Sequence, residues 1–505
     1  MIFTYRTLLL LGGLLLVITS HGVPLHAQQA EPVPAQAAEA ANTSASLVEA
    51  YVAEALASNL ALQQRTFDLV ASRHALDAAR RSFIPTLSVE ARFSRAGGGR
   101  TIDLPLGDVL NPVYGTLNDL LVGAGQDAAF QAIPNVEVPF LRDQEQETRL
   151  RVVQPVYQPQ LTAAIRLNRH LVSSKEAALS AYEQQLVRDV KVAYFQYLQA
   201  ERAIGIFEAA GSLVEENLRT TQRLQRNDVV LMDAVLRAQA ETFAVNQQQV
   251  EALDQRDRAR SYVNFLLNRP LDTPLQGADE IATAAPELAV AFGGAGAEMQ
   301  VASVNTLTDP AFDAALAAMQ DAAVMQRYEL DELDAAFNAQ QANVSMMQAA
   351  YLPNVSVAID GGIQGEGYGF QGDAPYYLAS VVLSWQLFDG SADRSRIRQA
   401  QAGAQRIATQ RAEAAQQIRL QVEQAYKAVQ VARASLTSAE GRVDSATESF
   451  RIVQRRLAQG QINQVGFVDA RTTLTSAQLN LNVTRYSLLA RLAELEFAVG
   501  QPTTH

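Results

Sequence analysis

The sequence predicts a duplicated α+β membrane protein. Each half carries two membrane strands, a very long helix and a shorter returning helix. The first observation behind this is internal repetition. Val190-Lys191-Val192-Ala193-Tyr194 returns about 232 residues later as Val422-Glu423-Gln424-Ala425-Tyr426. Pro270, after Leu266-Leu267-Asn268-Arg269, returns at the same offset as Pro502, after Ala498-Val499-Gly500-Gln501. Ser82-Phe83-Ile84-Pro85 returns about 268 residues later as Ala350-Tyr351-Leu352-Pro353, so the first half holds roughly 36 extra residues. A unit this long means two similar halves, not a small-repeat solenoid. The second observation is period-two alternation with charges on one face. The third is a pair of proline-free helical runs far longer than a globular helix.

Composition sets the bounds. Of 505 residues, 48% are apolar, yet mean hydropathy is near zero, because Ala, Gln, Leu, Glu and Arg dominate long stretches. A net charge of −12 argues against a nucleic-acid partner, which needs a basic face. With no Cys, disulfides, thiolate nucleophiles and thiolate metal sites are excluded. Residues 1–27 read as a signal peptide, with Arg6 in the n-region and an apolar core, Leu8 to Ile18, too short to span a bilayer. No other segment has 18 consecutive apolar residues, so any membrane span is made of strands.

Residues 28–44, rich in Ala, Gln and Pro, read as a flexible leader. Leu47 to about Ser82 has helical spacing and ends before Pro85. From Thr86 the period changes to two. Leu87, Val89, Ala91 and Phe93 share one face, opposite Ser88, Glu90, Arg92 and Ser94. That is a barrel strand with an apolar outside and a polar lumen. Alternation resumes at Thr148 to Val156 and recurs at Val355, Val357 and Ile359, then at Val381, Leu383, Trp385 and Leu387. Trp385, Tyr376, Tyr377 and Phe388 suit an aromatic girdle. The hairpin connection 95–147 is long and rich in Gly, Pro and Asp. Its counterpart from Gly361 to about Pro375 is short. Long loops of such barrels face the exterior.

After each second strand comes a long helix. Leu179, Tyr182, Leu186, Val190, Ala193, Tyr197, Ala200, Ile204 and Phe207 alternate spacings of three and four, as do Ile407, Arg411, Ala414, Ile418, Val422, Ala425, Val429, Ala432 and Leu436. This is a coiled-coil seam, and roughly 66 residues make a rod near 100 Å. Breaks at Asn227-Asp228 and Gly460 precede shorter antiparallel helices. Four strands cannot close a barrel, which needs about eight, and open edges cannot face lipid. Several chains must therefore contribute: two would give eight strands and a filled interior, three would give twelve and a water-filled lumen. The polar inward faces favour three.

At these residues the chain resembles the TolC family of outer-membrane efflux proteins. The likeness runs from Leu47 to Pro502. It is carried by the helix-Pro-strand joints at Pro85 and Pro353, by Gln154-Pro155-Val156-Tyr157 and Gln386-Leu387-Phe388-Asp389-Gly390, and by the Ala-Tyr pairs. The resemblance implies a homotrimer whose 12-stranded β-barrel lies in outer-membrane lipid and continues into a periplasmic α-helical barrel. It implies the channel of a tripartite efflux or type I secretion system, fed by a periplasmic adaptor (membrane fusion) protein and an inner-membrane pump of RND, ABC or MFS type. A periplasmic coiled-coil scaffold without a pore is the competing reading. The domains are then signal 1–27, leader 28–44 and first repeat 45–270 with long helix 161–226 and helix 230–267. A linker at 271–310 leads to the second repeat, 311–502, with strands at about 354–361 and 378–388, long helix 392–459 and helix 463–499.

In the family, the helix tips narrow the tunnel and receive the adaptor. The resemblance thus implies docking at Asn227, Asp228, Val229, Leu457, Gly460, Gln461 and Ile462. Family members commonly place acidic residues six and nine positions after the tip glycine. Asp469 matches as a gate residue, whereas Gly466 stands where the other acid is expected. Asn227 replaces the glycine of the first tip, which puts Asp233 at an acidic position; a one-residue shift would put Ala234 there. A ring of carboxylates at a narrow mouth favours cations. No zinc-protease spacing, nucleophile elbow or P-loop is present, so the sequence offers neither an enzyme site nor a cofactor site. His74 and His170 read as helix-surface residues.

Overall fold

In the computed structural model the described residues are 35–141, 143–276, 310–366 and 374–500. The signal at 1–27, most of the linker at 271–310, the tip of the second hairpin and Pro502 lie outside them. The first repeat runs α1 (Ala35–Ser58), α2 (Leu60–Arg81), β1 (Thr86–Arg95), β2 (Thr101–Leu104), α3 (Leu106–Gly123), β3 (Val136–Pro139), β4 (Gln144–Tyr157), α4 (Pro159–Arg226) and α5 (Met232–Leu266). The second runs α6 (Pro310–Gln326), α7 (Tyr328–Gln348), a 3-10 turn (Ala349–Tyr351), β5 (Asn354–Gly365), β6 (Ala374–Ser384), α8 (Ala392–Ala458) and α9 (Gln464–Val499). The rods α4 and α8 hold 68 and 67 residues, which at 1.5 Å per residue makes each about 100 Å long.

The seams are where the spacing puts them. Leu186, Val190, Ala193, Tyr197, Ala200, Ile204 and Phe207 are buried along α4, as are Ile418, Val422, Val429 and Ala432 along α8. The main core gathers Tyr194, Phe195, Leu198, Val263, Tyr486 and Leu489, so it joins both repeats through α4, α5 and α9. Burial of the Tyr194 ring raises its hydroxyl pKa well above the ordinary value, and that hydroxyl donates to the carbonyl of Gln276. Toward the tips the α4–α5 contact narrows to Ala210, Val214 and Val245. Small side chains there let two long rods lie close over many turns.

The leading helices differ from expectation. Helix α1 begins at Ala35, inside the stretch 28–44 read as a flexible leader. The single helix read from Leu47 to Ser82 is broken at Asn59, and the helices preceding β5 are likewise broken at Arg327. The two breaks are 268 residues apart, the same offset as the Pro85 and Pro353 joints. Asn59 is the N-cap of α2: its side chain accepts from the Leu62 amide (3.0 Å) and donates to the Leu266 carbonyl (2.9 Å). Arg327 donates to the carbonyls of Phe497 and Ala498, both at 3.2 Å. Ala498 follows Leu266 by 232 residues. Each repeat thus hooks its broken helix pair onto the last carbonyls of its own returning helix, using an amide in one copy and a guanidinium in the other.

The four-stranded sheet has the order β1-β4-β5-β6, antiparallel throughout, with β1 and β6 as open edges. Its register stacks Glu90 on Arg149, Arg92 on Glu147 and Arg151 on Asp360. All six lie on one face. Arg149 pairs with Glu90, Arg92 approaches Glu147 (3.3 Å) and Arg151 approaches Asp360 (3.6 Å). The opposite face carries Leu87, Val89, Tyr377, Val381 and Leu383, each more than 60% exposed. A sheet in water would have these faces the other way.

The sheet also departs in detail from the sequence reading. Strand β6 runs Ala374–Ser384 rather than 378–388, so Trp385, Leu387 and Phe388 follow the strand. Trp385 instead donates its indole N–H to the Tyr351 carbonyl (3.0 Å), tying the exit of β6 to the entrance of β5. Tyr376 does not join an outer girdle. It lies on the charged face and donates its hydroxyl to Glu147 (2.6 Å). The connection 95–147, read as a long loop, contains helix α3 and the β2–β3 ribbon. Pro112 and three glycines hide the α3 stripe from composition, and Pro112 lies inside the helix, where it leaves the Asp108 carbonyl without its helical donor.

Candidate functional site: the helical tips

The two tips are built alike. Helix α4 ends at Arg226 and α8 at Ala458, and each is closed by one left-handed residue, Asp228 (φ 58°) and Gly460 (φ 70°). The amide of Val229 donates to the Leu224 carbonyl and that of Gln461 to the Arg456 carbonyl, both at 2.9 Å. These six-to-one bonds satisfy carbonyls that a helix end leaves free. All three pairs of positions are 232 apart.

Of the two registers open for the first tip, this geometry favours the shifted one. Asn227 has φ −98°, so the residue standing in for the tip glycine is Asp228. Glycine adopts that conformation freely and aspartate at a cost. The shifted register also fixes the positions that follow. Ala234 corresponds to Gly466, and Arg237 corresponds to Asp469. Asp233 falls one residue outside that pattern and approaches Arg237 (3.8 Å) on the next turn. The first tip therefore offers a neutralised pair where the second offers Asp469.

Asn463 caps helix α9, its side chain accepting from the Gly466 amide (3.1 Å). A Cβ at Gly466 would come within 2.7 Å of the Ile462 side chain, so glycine lets Ile462 fold over the first turn. Phe467 is buried against Phe450 with ring centroids 5.6 Å apart, and this anchors the turn. Asp469, two residues on, is exposed. Helix α5 is preceded at its N-cap by Leu231, which makes no side-chain cap and is 80% exposed. Val229, Met232, Leu236 and Val465 are exposed too, so the tips end in apolar side chains between short polar turns.

Sequence reasoning missed one pair behind the tips. Arg471 of α9 is buried and pairs with Glu241 of α5. Burial pulls the pKa of Arg471 below the usual guanidinium range. The contact links the two helical hairpins. Its members belong to different repeats, and no periodicity within either helix points to it. Among the described residues, no group of three or more His, Cys, Asp or Glu side chains is placed to hold a metal ion, and no helix is long and apolar enough to cross a membrane.

Comparisons with known proteins agree with this architecture. Residues 320–501 match the outer membrane efflux protein family. The alkaline protease secretion protein AprF of Pseudomonas aeruginosa is 26% identical over 330 residues, 65% of this chain and 63% of that protein. The match thus spans just under two thirds of the relative's length. Among solved structures, the transmembrane channel CusC superimposes with a TM-score of 0.67 at 15% identity, covering 90% of this chain and 92% of that one. The CmeC outer membrane channel of Campylobacter jejuni gives 0.67 at 12% identity, with 90% and 85% covered. The open MtrE outer membrane channel of Neisseria gonorrhoeae gives 0.66 at 16% identity, with 90% and 89% covered. At such identities the likeness speaks for the fold.

Proposed function

Because the chain belongs to the TolC family of outer-membrane efflux proteins, we propose that three copies assemble into one outer-membrane channel, which passively conducts substrate delivered from the periplasm. The observation that carries this reading is the four-stranded sheet, apolar on one face, ion-paired on the other and open at both edges. Unpaired strand edges in lipid cost several kcal/mol per backbone group. Strand direction alternates across the sheet, so β6 of one copy meets β1 of the next antiparallel. Three copies close a ring of twelve strands with an aqueous lumen lined by Glu90, Arg92, Glu147, Arg149, Arg151 and Asp360.

The long helices then form the periplasmic conduit, with the tips at its far end. The turns at Asn227, Asp228 and Val229 and at Leu457, Gly460, Gln461 and Ile462 receive a periplasmic adaptor protein, and an inner-membrane pump of RND, ABC or MFS type supplies the driving force. Three copies of Asp469 form the acidic ring at the mouth. Gly466 contributes close packing rather than charge, and Asp233 is held by Arg237. A scaffold without a pore would leave the apolar sheet face in water. Planar-bilayer recording tests the channel: the purified protein conducts with cation preference, and Asp469→Ala lowers the cation-to-anion permeability ratio. Absence of conductance would overturn the channel, and unchanged selectivity would remove Asp469 from the mouth.

A further inference from the structure

The insertion between β1 and β4 carries two apolar surfaces that its own chain leaves bare. On α3, Leu106, Val109, Val113, Leu117 and Leu120 recur every three or four residues and are all exposed. The far side of α3 is already occupied. The side chain of Asn111 brackets Ile133, donating to its carbonyl (2.9 Å) and accepting from its amide (2.8 Å). Asn118 does the same to Phe130, at 2.7 and 3.0 Å. Asn135 and Asp108 close the end of this clamp. The returning segment is thus fastened to the polar side, and the apolar stripe is turned away from it. The second surface is the β2–β3 ribbon, where Ile102 pairs with Val138 and Leu104 with Val136, all four exposed on one face.

Two kinds of surface offer themselves to these faces, lipid and protein, and charge decides between them. Residues 96–143 hold six acidic and two basic residues, and α3 itself has Asp108 and Asp119 with no Lys or Arg. Helices that lie on anionic membrane surfaces rely on basic polar faces. An acidic insertion is repelled there, which leaves protein. Position says which protein. The insertion springs from β1, an open edge of the sheet, so in the ring it stands at the junction with the neighbouring copy. A cyclic ring needs two different, complementary patches on each subunit. The sheet supplies two such edges, and the insertion supplies two such faces.

We propose that the apolar stripe of α3 packs on the β2–β3 ribbon of the next copy, making a collar of three insertions around the external end of the barrel. The collar rests on the ring reading above. It gives the assembly an interface outside the membrane, fastened by side chains rather than by strand pairing.

The chain lacks cysteine, so Val113→Cys can be labelled at one site with a benzophenone maleimide and irradiated in outer-membrane vesicles. The expected result is covalently joined chains, with adducts on residues 101–104 or 136–139 of another copy. Asp119→Cys, on the opposite side of α3, gives no joined chains. Leu117→Cys repeats the test on the same stripe where Val113→Cys assembles poorly. Adducts confined to lipid or to the same chain, in preparations whose oligomer is intact, would overturn the collar alone. Absence of any oligomer in the unlabelled protein would overturn the ring, and the collar with it.

Discussion

Replacing Arg327 by alanine lowers stability by about 3–5 kcal/mol, the range for breaking a buried ionic and hydrogen-bonded group. The side chain is 3% exposed and serves three partners at once. It satisfies the carbonyls of Phe497 and Ala498 at the end of α9, pairs with Glu329, and stacks its guanidinium 4.3 Å from the Phe497 ring centroid. Alanine leaves carbonyls without a donor and a cavity between α7 and α9. The matching change in the first repeat, Asn59→Ala, removes a cap and one long-range hydrogen bond and costs about 2 kcal/mol. Thermal or denaturant unfolding of the detergent-solubilised protein reads both, and equal losses would contradict this ranking.

The same pair has a pH signature. Burial pushes the Glu329 carboxyl upward, but the hydrogen bond and charge of Arg327 outweigh it, so its pKa lies below the ordinary 4.5. A depressed carboxylate pKa contributes stability that is present above the unfolded value and lost as pH falls through the folded value. The parent protein therefore loses this contribution below about pH 4.5. Arg327→Ala lacks it at every pH, so the difference between the two proteins shrinks in acid. A difference independent of pH would show that the Glu329 pairing contributes nothing and that Arg327 acts through the Phe497 and Ala498 carbonyls and packing.

Removing the charge of Glu241 has the other large effect. Glu241→Gln leaves the Arg471 guanidinium, whose side chain is 5% exposed, without an anionic partner between the two hairpins. An unpaired buried charge costs about 3–5 kcal/mol. The strain falls near the tips, so the expected result is faster amide exchange at the ends of α5 and α9 and a higher resting conductance. Adding Arg471→Met removes the stranded charge and keeps an apolar side chain, so the double variant recovers most of the stability. Buried ion pairs replaced entirely by apolar groups often behave this way. A double variant less stable than Glu241→Gln would mean that Arg471 matters for reasons other than its pairing.

Much of this fold is legible in the sequence because its rules are local and repeated. Proline-free heptads forecast α4 and α8, and alternation in Leu87 to Phe93 forecasts which face of β1 is apolar. What escaped had tertiary causes. The breaks at Asn59 and Arg327 exist because the last carbonyls of α5 and α9 need donors, and helix propensity says nothing of that. The family resemblance put Asn227 at the first tip and left a one-residue shift open. The hydrogen-bond closure chose Asp228, which also moved Asp233 out of register with Gly466, the position where the family's other acid is expected. Tyr376 was read by residue type as girdle, but strand parity placed it beside Glu147. Helix α3 was hidden by Pro112 and by Gly107, Gly115 and Gly123. The Arg471–Glu241 pair joins positions 230 residues apart, beyond the reach of any pattern within one helix.

Electron microscopy of the protein extracted from the outer membrane is the most direct check on how the sheet edges are satisfied. The expected density is a threefold ring of twelve strands in which β1 of each copy pairs antiparallel with β6 of its neighbour, above a helical conduit. A lone chain with β1 and β6 paired to each other, or a particle whose apolar sheet face is covered by its own helices, would contradict the proposal that the pore wall is shared between copies.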